Sequence, residues 1–267
     1  MTETPLVRFL LRFTSIGVLA FIYLPIIVLA IYAFNTSRLQ AWPPAGFTLQ
    51  WFVEAAQNPS VIKAVGNSLL AASLATAFAL VLGTLAALAV SRYAFFGKQS
   101  ISFFLVLPIA LPGVISGIAL RTTFTTFGVD LGLLTIVIGH ATFCVVVVYN
   151  NVLARLRRLP RTPEEASADL GADAFTTFRR ITLPGMFTAL LSGGLLAFGL
   201  SFDEIIVTIF TAGAGTQTVP MWIYSAIQRP NELPVVNVVA LVLIIISVVP
   251  VYISQRLASD VARGTGL

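Results

Sequence analysis

Six uninterrupted apolar runs govern what this chain can fold into: Ser15 to Phe34, Ser68 to Val90, Ile101 to Leu120, Leu133 to Leu153, Met186 to Phe202 and Val235 to Ser254. A helix crosses the hydrocarbon core of a bilayer with about 20 apolar residues, so each run is of spanning length. None contains Asp, Glu, Lys or Arg, and His140 is the one imidazole among them. With 57% hydrophobic and 10% charged residues and a mean hydropathy of +0.94, the 267-residue chain is too apolar for an ordinary water-soluble domain. The expected fold is an all-α membrane protein of six transmembrane helices in one domain, residues 1–267, since no repeat of 20 to 50 residues and no low-complexity linker interrupts it. The first run is longer than a secretory signal core and leads into Asn35-Thr36-Ser37-Arg38 rather than a small-residue cleavage site, so it reads as a retained anchor. Cys144, the single cysteine, lies inside an apolar run without a partner, which excludes a disulfide framework and a cysteine metal site.

The net charge of +5 matters less than where the cations fall. With the N-terminus inside, the cytoplasmic segments receive Arg8, Arg12, Arg92, Lys98, Arg155, Arg157, Arg158, Arg161, Arg179, Arg180, Arg256 and Arg263. The opposite side holds Arg38, Lys63, Arg121 and Arg229, a split of 12 against 4. Loops this short obey the positive-inside rule, so both termini and the loop 154–185 are expected in the cytoplasm, and the basic residues do not call for a nucleic-acid partner. Pro25, Pro108, Pro112 and Pro250 fall within spans, where each removes a backbone hydrogen bond and is expected to bend its helix. Outside the membrane, Leu49 to Ala56 reads as a short amphipathic helix after Pro43-Pro44 and Gly46. Its Trp51 either packs at the interface or contacts solute.

The loop between the fourth and fifth runs is the most informative stretch. Thr162 can cap a first short helix, Pro163 suits its opening turn, and Glu165 stands three residues after the cap to close a capping box. Gly171 permits the left-handed backbone that ends a helix, and Asp173 can cap a second one. Along that second helix Phe175, Phe178 and Ile181 recur at threefold spacing as an apolar stripe, and Pro184 is expected to stop it before the fifth span. An amphipathic hairpin that cannot bury its own ridge docks on a partner protein or, with these arginines beside it, lies on lipid.

This loop resembles the EAA motif of binding-protein-dependent ABC permeases, which runs Glu-Ala-Ala, three residues, Gly, nine residues, Ile, one residue, Leu-Pro. Glu165, Ala166, Gly171, Ile181, Leu183 and Pro184 match in register, and Ser167 replaces the second alanine, small for small. Further matches follow in order: Tyr23-Leu24-Pro25-Ile26-Ile27, Phe47-Thr48 before Trp51, Asn67-Ser68-Leu69, His140-Ala141-Thr142-Phe143 and Leu200-Ser201-Phe202-Asp203-Glu204. Together these look most like the spermidine/putrescine permease subfamily. The resemblance implies a type I ABC importer permease fold in a bacterial inner membrane and makes the loop the coupling helix of an ATPase subunit. It also implies a dimer of ATPase subunits that bind ATP and magnesium, a second and different permease chain, and a periplasmic solute-binding protein.

Asp203 and Glu204 follow the fifth span and precede another apolar stretch, Ile205 to Phe210. Either the helix runs on and holds two carboxylates at membrane depth, or the span ends at Phe202 and they are solvated outside. In the first case they would attract a cationic amine by charge and hydrogen bonding, and by the resemblance Ser201 joins them. The resemblance departs at Gly113, where polyamine permeases often carry an acid after the third-span proline; this leaves a monoamine, an amino acid or an opine-like compound open. His140 reads as an interhelical hydrogen-bonding group. No catalytic acid pair, nucleophile–base dyad or metal-ligand cluster is apparent, and no phosphate-binding loop ending in Gly-Lys-Ser/Thr. The chain is expected to be non-catalytic and to hold no cofactor of its own, its energy coming from the ATPase partner.

Overall fold

The computed structural model describes residues 4–262 and is built of helices. In chain order these are α1 (Pro5–Ala33), α2 (Gln50–Gln57), α3 (Pro59–Arg92), α4 (Lys98–Ala110), α5 (Gly113–Thr126) and α6 (Leu133–Leu156). They continue with α7 (Thr162–Asp169), α8 (Ala174–Thr177), a π-helical turn (Phe178–Thr182), α9 (Leu183–Phe202), α10 (Ile206–Thr211), α11 (Val219–Ala226) and α12 (Leu233–Ala262). Among the described residues, five helical runs are long and apolar enough to cross a membrane, and α4 with α5 supplies another crossing if the bent pair is one span. Arg263 and the side chain of Pro250 lie outside the described residues.

The third apolar run is therefore two helices, not one. Pro112 has no N–H and crowds the residue before it out of the helical region. Leu111 is accordingly extended (ψ 140°), and α4 and α5 meet at a bend of 105°. Pro25 and Pro108, by contrast, sit inside α1 and α4 without interrupting them.

The described residues divide into two compact units, one of residues 4–62 with 222–245 and one of 63–221 with 246–262. In the first, α1 carries Phe9, Phe13, Ile16, Phe21 and Leu24 all exposed, a surface that only lipid or another chain can cover. In the second, α6 is the central pillar: Ile136, Val137, Cys144, Val148, Tyr149 and Val152 along it are all buried. Because lipid is as apolar as a leucine side chain, helices here gain from close van der Waals fit rather than from expelling water, and small residues provide that fit. On α3, a Cβ at Gly83 would stand 2.9 Å from the Val145 carbonyl oxygen and 3.0 Å from the Tyr149 nitrogen of α6. On α9, one at Gly193 would stand 3.3 Å from the Asn151 Cβ.

Backbone atoms cannot step aside as a flexible side chain can, so Gly83→Val is expected to overpack the α3–α6 contact at a cost of about 1–3 kcal/mol. Thermal unfolding of the detergent-purified protein should show a lowered melting temperature; an unchanged one would mean that the helices can part freely there.

Candidate functional site

Two places in the second unit bear on function, the α7–α8 loop and the break between α9 and α10. The loop is held to the transmembrane helices by polar bonds. Glu164 accepts from Arg92 Nη2 at the end of α3 at 2.8 Å and from the Thr182 hydroxyl at 2.8 Å, and Arg161 Nη2 donates to the Ser91 carbonyl at 3.0 Å. Within the loop, Ser167 and Thr177 share a hydrogen bond of 3.0 Å. Gly171 adopts a left-handed backbone (φ +82°) and turns the chain between the two helices. Asp173 caps the second helix, accepting from the Thr176 N–H at 2.7 Å, and this contact, with the Thr176 side chain, holds its carboxyl below the usual aspartate range.

Three local expectations are corrected. Thr162 lies inside α7 and does not cap it. Arg161 already has helical angles (φ −82°, ψ −19°) and its carbonyl takes the N–H groups of Glu164 and Glu165, so the turn starts one residue early and no capping box forms. Pro184 does not stop the second helix: Ala174 to Phe202 runs on through the π turn into α9. A wider turn relieves the clash between a proline ring and the carbonyl four residues back. The aromatic stripe does not share one environment. Phe175 is 70% exposed, whereas Phe178 packs on the buried cluster of α6 and Ile181 is half-buried. Leu183 also packs on that cluster. The exposed apolar tip is thus Phe175 with Leu170, 89% exposed, beside the exposed Glu165 and Ala166.

At the other end of α9 the span ends at Phe202, as one of the two sequence readings has it, but the apolar stretch beyond it forms a separate helix. The helix ends at Phe202, the chain passes through Asp203, Glu204 and Ile205, and α10 resumes among the packed helices. Asp203 is exposed and Glu204 half-buried. Glu204 accepts the Val207 N–H on Oε1 at 2.9 Å, and its own carbonyl takes the Thr208 hydroxyl at 2.8 Å. His140, 1% exposed on α6, touches Ser201 Oγ with Nδ1 at 2.7 Å and Thr208 Oγ1 with Nε2 at 2.8 Å. At the far end of α10 the Thr135 hydroxyl donates to the Thr211 carbonyl at 2.7 Å. Gly113 sits against Ile206, where a Cβ would meet the Ile206 Cγ2 at 3.2 Å.

Ser201, Asp203 and Glu204 therefore gather at one break, while Trp51 lies in the other unit. Its indole, 2% exposed, donates to the Asn35 carbonyl at 2.7 Å under the Arg38 guanidinium, so it is occupied with holding its own loop. Sequence reasoning missed Glu164, Arg92, Leu170 and Thr208. A signal for Thr208 was present, since hydroxyls in apolar helices seek partners across them. None existed for Arg92 with Glu164, 72 residues apart.

Removing the Glu164 carboxylate leaves Arg92 without its charge partner and the loop without its bond to Thr182. Glu164→Ala is expected to cost about 1–3 kcal/mol of local stability. Limited proteolysis should then cut the loop 157–185 faster than in the wild type, and equal rates would show that the bonds are dispensable.

A family model described as "Binding-protein-dependent transport system inner membrane component" matches residues 79–263. The chain is 36% identical over 251 residues to the spermidine/putrescine transport system permease protein PotC of Shigella flexneri, covering 94% of each chain. It is 38% identical over 228 residues to the putrescine transport system permease protein PotI of Escherichia coli strain K12, covering 82% of this chain and 80% of that one. Its fold is similar to that of a chain in a solved bacterial alginate ABC transporter in complex with alginate pentasaccharide-bound periplasmic protein. There the TM-score is 0.72 at 19% identity over 98% of this chain and 96% of the other, a likeness of fold alone. With a matching family model over most of its length and relatives of this identity over nearly all of it, the chain belongs to the family of inner-membrane permease components of binding-protein-dependent ABC transport systems.

Proposed function

We propose that this chain is a permease subunit of an ATP-driven importer for a small cationic amine, a polyamine of the spermidine/putrescine kind. The observation that carries the substrate class is the 36% identity over 94% of the chain to a spermidine/putrescine permease. The Asp203–Glu204 pair at a helix break supports it, since intramembrane carboxylates attract and hydrogen-bond an ammonium group.

In this reading the chain is one permease domain that crosses a bacterial inner membrane six times, with the α4–α5 pair as a single broken span. Both termini and the α7–α8 loop lie in the cytoplasm, on the side favoured by the 12-to-4 charge split. A second, related permease chain completes the pathway, a periplasmic binding protein delivers solute, and two ATPase subunits bind ATP and magnesium. The exposed tip of Leu170 and Phe175, flanked by Glu165 and Ala166, is the part that docks on the ATPase. Work reaches the membrane by two links. Arg92–Glu164 and Arg161–Ser91 tie the loop to α3, and the π turn makes it continuous with α9. With 20 residues, α9 spans about 30 Å, so a push at the loop arrives at Asp203 and Glu204. A second reading, import of another small amine-bearing solute such as an amino acid, an opine or a monoamine, is favoured by one observation: Gly113, packed on Ile206, offers no third carboxylate.

At Gly171 a side chain meets open space, so a substitution there acts through backbone angle alone. Gly171→Ile is expected to cost about 1–3 kcal/mol in the turn and to uncouple ATP hydrolysis from uptake in the reconstituted complex. Wild-type coupling in that variant would refute the docking role.

Asp203→Asn with Glu204→Gln removes charge while keeping volume. Uptake of putrescine should fall roughly tenfold or more with assembly intact, as expected when charge-assisted bonds worth about 1.5–3 kcal/mol are lost. A thermal-shift screen of the partner binding protein complements this, because a bound ligand raises apparent stability by mass action. A response only to anionic or uncharged solutes would overturn the amine assignment.

A further inference from the structure

Within the core of the second unit, one polar chain has a direction that its own geometry sets. Thr208 has a single hydroxyl proton, and it is donated to the Glu204 carbonyl at 2.8 Å. Toward His140 the same oxygen can therefore only accept, so the ring proton sits on Nε2 and is donated to Thr208 Oγ1 at 2.8 Å. With that proton assigned, Nδ1 is the acceptor, and the Ser201 hydroxyl donates to it at 2.7 Å. The result is one run of donors from Ser201 through His140 and Thr208 to the backbone of Glu204. Ser201, His140 and Thr208 are all buried, at 2%, 1% and 0% exposure.

The chain bridges the break. Ser201 belongs to the last turn of α9, Glu204 lies within the interruption, Thr208 lies in the first turn of α10, and His140 stands on the buried pillar α6 that both pack against. Glu204 is gripped twice, by its carbonyl and by the carboxylate oxygen that accepts the Val207 N–H, which leaves its second carboxylate oxygen for other work. Thr135 fixes the far end of α10 to α6 in the same manner. We propose that His140 is a positioning residue of the solute site, holding the interruption between α9 and α10 open so that Asp203 and Glu204 stand where a cationic solute passes. The proposal rests on the solute-path reading of those two carboxylates.

The test uses the whole complex, with both permease chains, ATPase and binding protein reconstituted in vesicles, and putrescine as the probe at a concentration that saturates the receptor. The quantity read is putrescine imported per ATP hydrolysed. A merely structural lesion lowers both activities together and leaves that ratio unchanged. Thr208→Val keeps shape but ends the relay, and His140→Gln removes its centre. Each is expected to lower the ratio about fivefold, the factor to which one hydrogen bond of about 1 kcal/mol corresponds. Thr208→Ser keeps the hydroxyl and should restore the wild-type ratio. In the Asp203→Asn, Glu204→Gln background, Thr208→Val should add nothing, because residues acting through one another are non-additive. Should the carboxylate double variant itself leave the ratio unchanged, the solute-path reading fails and the proposal falls with it. Should that variant lower the ratio while Thr208→Val and His140→Gln leave it at the wild-type value, or while Thr208→Val adds its full effect on top, the proposal alone is overturned.

Discussion

A backbone group released from its helix among packed apolar neighbours has little water to bond, and leaving it bare costs several kcal/mol, so such an interruption must be answered by a side chain or a neighbouring helix. Two interruptions organise this protein. At Leu111–Pro112 the missing proline N–H removes one of the groups that would need a partner, and the chain turns through 105°. At Asp203–Ile205 no proline is present. There the hydroxyl of Thr208 and the carboxylate of Glu204 satisfy the freed groups, with His140 and Ser201 behind them. Both breaks are packed around α6, whose own backbone is unbroken and whose side chains are mostly buried. The pillar is what allows the rest to be irregular.

The α7–α8 loop is likewise tied to its neighbours on one side and open on the other. Stiffness comes from the ion pair of Arg92 with Glu164, largely withdrawn from solvent, from the Arg161–Ser91 bond and from Phe178 turned into the core. Exposure is kept at Leu170 and Phe175. The π turn passes Pro184 without ending the helix, so the second helix of the loop is continuous with the 20-residue α9.

Much of this was legible in the residues. Long apolar runs without charge, a glycine where the loop turns and an aspartate ready to cap are local features, and the structure has Gly171 at φ +82° and Asp173 bonded to the Thr176 N–H. Where the reading failed, the reason was geometric. Threefold spacing predicts a common face but not what each position on it packs against, and Phe178 reaches the buried cluster while Phe175 stays exposed. Likewise, an apolar stretch after Asp203 and Glu204 looks the same in sequence whether the helix continues or breaks and resumes. Trp51 had the composition of an interface residue, yet its indole is occupied by the carbonyl of Asn35.

By itself, the sequence determined that the chain is helical and membrane-spanning, that its loop carries the spacing of the EAA motif and that two carboxylates follow the fifth apolar run. These are consequences of hydropathy and local backbone chemistry, which neighbouring residues settle among themselves. Only the tertiary structure decided that Glu164 meets Arg92, that His140 lies between Ser201 and Thr208, and that the chain breaks at Asp203 rather than continuing. Those outcomes depend on which helix faces which, and partners 61 to 72 residues apart become neighbours only when α3, α6 and α9 pack. The physical reason is that packing is a competition among whole helix faces for the same buried space, and no local pattern records its winner.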